Sequence, residues 1–320
     1  MRYEQLSVGE LTVDMIRGGA SLDMFTKKIF VDPVNGSDSA YAGKSISNAK
    51  KTLAAGYAAL RTNKNEALIL VPGASYHGLI DHFVWAHSFT HLIGLAGPGV
   101  YGGRNRIYDT AAFHEMLFSI TGIGNIFKVI HWQRDFNSAL GVQNVTLGTN
   151  ASYNYFEDCQ FDSPIMAALG AAAYRNLTLG DGARSNTFRR CTIGQWNQLA
   201  AATDGFQIYG VGGTNGNAGT HFMDCVVLWY TNQATMSPIN ISNLIDVNAY
   251  VLFDRCKFLG LGTTVNGLCT TGTPTAGKII FSNCSGMGFT EYDASANARI
   301  FVCNSSTGDD AAGIGVAVSS

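Results

Sequence analysis

Along the second half of the chain, apolar residues come in short bursts separated by polar turns. One arrangement returns five times: Phe156 with Cys159, Phe188 with Cys191, Phe222 with Cys225, Phe253 with Cys256, and Phe281 with Cys284. Successive cysteines are 32, 34, 31 and 28 residues apart, a period of one supersecondary unit and the mark of a stacked repeat. In a straight strand, residues three apart face opposite sides, so burying both Phe and Cys requires a bend between them. The residue before each Cys is polar: Asp158, Arg190, Asp224, Arg255 and Asn283. Asp and Asn tolerate the left-handed backbone of such a corner, which suits three of the five. After the bend the pattern alternates, as in Cys159-Gln160-Phe161, Cys191-Thr192-Ile193 and Cys256-Lys257-Phe258. This predicts a short strand with Gln160, Thr192 and Lys257 pointing out.

Short strands joined by bends and stacked coil on coil predict an all-β fold, a right-handed parallel β-helix with aligned interior ladders. The ladder is expected to consist of these ten Phe and Cys residues. The cysteines read as small buried apolar groups rather than a disulfide framework or a metal site: no Cys-x-x-Cys pair occurs, and the total of 7 is odd. Cys269 and Cys303 fall outside the ladder.

The first third is patterned differently. Residues 1–27 contain one alternating piece, Leu6-Ser7-Val8-Gly9-Glu10-Leu11-Thr12-Val13, and further apolar groups such as Met15 and Ile16. They carry no pattern that closes on the scaffold. Leu6, Val8, Leu11, Val13, Met15 and Ile16 are therefore expected to form a partner-binding arm, with the β-helix domain spanning 28–320. Ile29-Phe30-Val31-Asp32-Pro33 reads as a strand, and Asn35-Gly36-Ser37-Asp38-Ser39 as a turn. Ala49, Leu53, Tyr57 and Leu60 recur at helical spacing, which predicts a helix over 47–61 capped by Ser47.

Ile29-Phe30-Val31-Asp32, Asn35-Gly36-Ser37-Asp38, a helix ending at Leu60, and Leu68-Ile69-Leu70-Val71-Pro72-Gly73-Ala74-Ser75-Tyr76 follow one another in an order that resembles the opening of pectate-lyase-like right-handed β-helix proteins. In these, a helix caps the first coil. With a short N-terminal arm and no signal peptide, the chain is similar to phage virion proteins of this type, namely tailspikes and capsid-decorating or head-fibre proteins. The resemblance implies a non-catalytic structural role on a virion, a capsid protein as partner and a homotrimer. The alternative it implies is a tailspike-like protein that binds or cleaves a host-surface glycan.

Composition narrows the partners. The net charge is −2 and no Lys/Arg run occurs, which argues against nucleic acid or an anionic membrane surface. With 46% hydrophobic and 14% charged residues over 320 positions, the chain can bury a long core. Met1–Glu10 lacks the apolar stretch of a signal peptide, so synthesis in a host cytoplasm is expected.

Candidate chemistry is sparse. Thr203-Asp204-Gly205 is similar to the Asn-Thr-Asp-Gly motif of polygalacturonase-like hydrolases, with Met223-Asp224-Cys225 in place of their Asp-Asp-Cys. Glycoside hydrolysis needs two facing carboxyls, yet Ala202 and Met223 stand where an Asn and an acid are needed. Asp204 and Asp224 are thus weak catalytic candidates, and Asp224 also reads as a repeat corner. His131, Arg134 and Asp135 form the densest polar group, with no second acid at ligand spacing. His77, His82, His87, His91 and His114 lie among aromatics, and His87 and His91 are four apart, but a third zinc ligand is not evident. No metal or cofactor is expected. Asn144, Asn176 and Asn240 in Asn-x-Ser/Thr context read as polar turns rather than glycosylation sites.

Overall fold

The computed structural model describes residues 22–73, 76–96, 105–109, 116–133, 143–162, 174–194, 206–210, 218–241, 249–271, 277–293 and 299–308. Within them the chain winds as a right-handed parallel β-helix. Its strands assemble into three parallel sheets of 10, 9 and 8 strands. Each coil gives one strand to sheet 1, turns a tight corner into sheet 2, crosses to sheet 3 and returns to sheet 1 in the next coil.

The first corner is the Phe-x-x-Cys bend. Val129, Asp158, Arg190, Asp224, Arg255, Asn283 and Asn304 all have φ between 47° and 56°, so the left-handed turn is made even by Arg and a β-branched Val. Stacking from coil to coil fixes it. The rings of Phe127, Phe156, Phe188, Phe222, Phe253 and Phe281 form one column with centroids 4.5–4.9 Å apart and interplanar angles of 7–12°. Phe127 extends the column by one coil, with Ile130 in the cysteine position.

The choice of Cys has a physical reason. Each thiol donates to the carbonyl of the Phe one coil earlier: Cys159 to Phe127 at 3.4 Å, Cys191 to Phe156 at 3.6 Å, and Cys225, Cys256 and Cys284 to Phe188, Phe222 and Phe253 at 3.4 Å. A small side chain with a weak donor thus fills the corner and satisfies a buried carbonyl. In the last coil Ser305 takes over, its hydroxyl donating to Phe281 O, and Cys303 is left exposed outside the ladder. Burial pushes the Cys191, Cys256 and Cys269 thiols up.

The return corner, from sheet 3 to sheet 1, carries a second ladder. Asn125 Oδ1 accepts from Thr90 N, Asn154 Oδ1 from Asn125 N, and Asn186 Oδ1 from Asn154 N, all at 2.9–3.0 Å. Asn154 and Asn186 also donate to the carbonyls of Gly122 and Ala151. These amides are buried and satisfy corner backbone groups that no strand neighbour reaches. The positions just before them are left-handed at Phe89, Gly124, Tyr153 and Ser185.

The N-terminal cap differs from expectation in two ways. The helix, α1, spans only Leu53–Ala58, and its N-cap is Thr52, whose hydroxyl accepts from Ala55 N at 3.1 Å. Ser47 is no cap, because Asp38 holds Lys51 N and Thr52 N in an extended turn and Lys50 bridges to Val31. Gly56 lets α1 sit on the coil end: a Cβ there would lie 2.6 Å from both Leu68 and Val31 side chains. Second, two residues that the sequence placed in the arm dock on the scaffold. Leu22 and Phe25 join Ala67, Ile69, Ile93 and Leu95 in a second core on the outward face of sheet 1. Asn65 fastens this segment by donating to Met24 O at 2.6 Å. Leu6, Val8, Leu11, Val13, Met15 and Ile16 lie outside the described residues. No helix among the described residues is long and apolar enough to cross a membrane.

Candidate functional site

The weak catalytic candidate Asp224 lies at a corner and is engaged there. Its carboxylate accepts from Arg255 Nε at 2.8 Å, and this hydrogen bond holds it below the usual carboxylate range. It is therefore a standing anion, unsuited to protonating a leaving group. Two coils earlier the same position repeats the device: Asp158 binds Arg190 at 2.8 Å, and Arg190 also reaches Glu157 at 2.8 Å. Glu157 completes a buried pair with Lys128 at 2.7 Å. Asp204, Arg134, Asp135 and His114 lie outside the described residues.

Of the aromatic histidines, His82, His87 and His91 are also occupied, whereas buried His77 has no hydrogen-bond partner on either ring nitrogen. His91 Nδ1 accepts from Ile126 N at 3.0 Å, so the proton sits on Nε2, which faces Asn65 Oδ1 at 2.8 Å. Burial lowers its pKa to about 4, and its ring lies 4.9 Å from Phe25. His87 stacks on Tyr57 at 4.4 Å, and His82 Nε2 meets Ser119 Oγ at 2.7 Å. His87 and His91 do not form a metal pair. Among the described residues no group of three or more His, Cys, Asp or Glu could hold a metal ion.

A further polar group lies on the outward face of sheet 2. Strands β1 (His131–Gln133) and β2 (Gln160–Asp162) pair so that Gln160 lies beside His131 and Asp162 beside Gln133. Between them Trp132 and Phe161 point into the core and stack at 5.0 Å. The four polar residues therefore form a square on the other face. His131 lies in a buried strand rather than a solvated loop, and the acid that sequence spacing did not reveal is Asp162, one coil away. Its Oδ2 accepts from His131 Nε2 at 3.0 Å and from Gln160 Nε2 at 3.4 Å. Asn144, the second residue of the sheet 3 strand Gln143–Leu147, donates to the carbonyls of Trp132 and Asp162 at 3.1 and 2.6 Å. Asn144 and Asn176 are thus buried strand residues, not turn residues.

Although these side chains face away from the core, His131, Gln133, Gln160 and Asp162 are only 3%, 6%, 3% and 4% exposed. His131 Nδ1, Gln133 Oε1, Gln160 Oε1 and Asp162 Oδ1 have no hydrogen-bond partner. Buried polar atoms are normally satisfied, and four that are not lie together in this square. Chemically, a carboxylate that fixes the imidazole tautomer leaves Nδ1 as a free acceptor.

The comparisons with known proteins concern the scaffold. No protein-family model matches the chain, and no curated protein matches its sequence. Solved structures do match. A pectin methylesterase from Erwinia chrysanthemi superposes with a TM-score of 0.58 at 14% identity, over 92% of this chain and 91% of that one. A pectin methylesterase from Yersinia enterocolitica gives 0.56 at 12%, over 80% and 90%. The pectate lyase Pel9A gives 0.56 at 13%, over 90% and 78%. The likeness is one of fold. At this identity it carries no catalytic residue across.

Proposed function

We propose that the chain is a non-catalytic structural protein of a phage virion, attached to the capsid as a decoration or fibre, and that it assembles as a homotrimer. The observation that carries the non-catalytic part is the use made of the repeat's acids. Asp158 and Asp224 zip one coil to the next through Arg190 and Arg255, so the charged positions that recur along the solenoid serve its cohesion. The virion part is supported by the resemblance of the opening segment and by the apolar residues within 1–21, ahead of Leu22, which packs on sheet 1. A capsid protein is the partner this reading assigns to that stretch.

The test is particle binding by the full chain and by a version lacking residues 1–21, with size measured alongside. The reading expects the full chain to decorate particles as a trimer and the shortened chain to stay folded but unbound. Equal occupancy by both would move attachment to the coils, and a monomer without particle affinity would remove the virion role.

A second reading, a glycan-binding or glycan-cleaving protein, is favoured by the square of His131, Gln133, Gln160 and Asp162, and by a fold shared with enzymes whose names place them on pectin. Release of methanol, reducing ends or unsaturated ends from pectin and from neutral polysaccharides would identify an enzyme.

A further inference from the structure

We infer that in the free protein the segment ahead of Leu22 lies along the outward face of sheet 1 of its own chain, with Leu11, Val13 and Met15 seated over Leu252, Ile280 and Phe301. The inference concerns the free chain and does not rest on the virion role. Three observations carry it.

The first is an apolar row that is covered at one end and open at the other. Strand register carries one outward position of sheet 1 from Ala67 and His91 through Ile126 to Leu252, Ile280 and Phe301. At the early end Leu22 and Phe25 pack over it, and Ala67 and His91 are buried. At the late end Leu252 and Ile280 are partly exposed and Phe301 is 42% exposed. His221, in the same row, spends its Nε2 on Tyr250 Oη at 2.9 Å, so it offers little polar chemistry to an incoming group. The outward row of sheet 3 is polar by contrast, running through Ser119, Thr146, Thr178, Tyr209, Asn240 and Thr270. An apolar segment therefore buries most by staying on sheet 1.

The second is direction. Lys27 opens the first strand of sheet 1, Thr26 N donates to Asn65 O just ahead of the second strand, and the ring of Phe25 lies 4.9 Å from His91 in the third. Followed backwards from Lys27, the chain climbs the outward face from coil to coil. Leu22 belongs to the cluster that Ile126, in the fourth strand, flanks. The residues before it thus depart from a point already on the row.

The third is reach and pattern. Leu252, Ile280 and Phe301 stand in the last three of the sheet's 10 strands, four to six strands beyond Ile126, which is about 19–29 Å at the usual strand spacing. An extended chain covers about 3.3 Å per residue, which puts Met15, Val13 and Leu11 about 23–36 Å beyond Leu22. The order Leu11-Thr12-Val13-Asp14-Met15 alternates like a strand with one apolar side. That side matches the open end of the row and leaves Thr12 and Asp14 to water.

The experiment uses Cys303, which shares the outward face with Phe301 and is exposed while the other cysteines are buried. A benzophenone maleimide on Cys303 of the intact free chain is photolysed at high and at low protein concentration, and the adducts are located by mass spectrometry. The same is done with Ile280→Asp and Val13→Asp, and thermal melting checks that each is folded. The inference expects adducts within residues 1–21 of the same molecule, unchanged by dilution and about tenfold fewer in either variant, since each sets an unpaired carboxylate against apolar surface. Three results would overturn it: no adduct within 1–21; adducts that vanish on dilution, which would give the face to the arm of a second copy; or adducts that both folded variants retain. Val13→Asp lies outside the coils, so it keeps the test if Ile280→Asp does not fold. No particle is present, so none of these results bears on capsid attachment.

Discussion

The inner column of sheet 1 and the outer square of sheet 2 are a few ångströms apart and obey opposite rules. In the column every coil repeats the last: rings stack within 4.9 Å, each Cys donates to the carbonyl one coil earlier, and each corner turns left-handed. Nothing is left unpaired, and any one residue is explained by its neighbours above and below. In the square the residues change from coil to coil, and four buried acceptors stay bare. A solenoid thus separates its tasks: repetition marks what holds the molecule, and departure from repetition marks where it can act.

The largest break in that comparison comes from the column. Phe222→Ala should destabilise by about 3–5 kcal/mol through the cavity it leaves between Phe188 and Phe253, read as a shift in denaturation midpoint. Gln160→Leu, in the square, should cost far less, because it removes a bare oxygen along with a single long 3.4 Å bond to Asp162. Equal losses from both would erase the distinction.

The asparagine ladder comes next. Asn154→Ala strips an acceptor from Asn125 N and a donor from Gly122 O, and leaving such buried groups unsatisfied costs about 1–3 kcal/mol each. Midpoint measurements on Asn154→Ala and Asn186→Ala check this, and small effects would mean that water replaces the amide.

A pH dependence of similar size should arise in the first coils. His77 and His91 are buried, and burial lowers both to about 4, against about 6.5 in the unfolded chain. Between these values the unfolded state binds more protons, so stability is full above about 6.5 and falls as the pH drops toward 4, by up to about 1.4 kcal/mol per unit for each histidine. Denaturation curves at pH 7 and 5 should show the fall, and His91→Gln should reduce it. The same slope in the variant would assign it to other groups.

The smallest effect belongs to the cysteines. Cys191→Ala should cost about 1 kcal/mol, the deleted thiol being small and its hydrogen bond weak. A neutral result, together with rapid labelling of the native thiols, would put the ladder outside the core.

Much of the column was legible in the sequence because its cause is local and repeated: Phe-x-x-Cys needs a bend, and the bend predicts the fold. The asparagine ladder was equally periodic. Asn125, Asn154 and Asn186 stand two residues before Phe127, Phe156 and Phe188, a signal present but overlooked. The helix was overextended because apolar spacing from Ala49 continued past the point where Asp38 holds residues 51 and 52 extended. The docking of Leu22 and Phe25 on sheet 1 depends on a surface made by Ile69 and Ile93, far away in sequence. The square was least visible of all. His131 and Asp162 are 31 residues apart, and only the register of β1 with β2 brings them together.

Hydrogen exchange read by mass spectrometry, with and without pectin fragments and neutral oligosaccharides as probes, tests this division of labour most directly. The account predicts added protection in the peptides covering 131–133 and 160–162, and none at the corners around Asp158 and Asp224 or in the Phe column. Protection centred on those corners, or spread evenly over the coils, would contradict it.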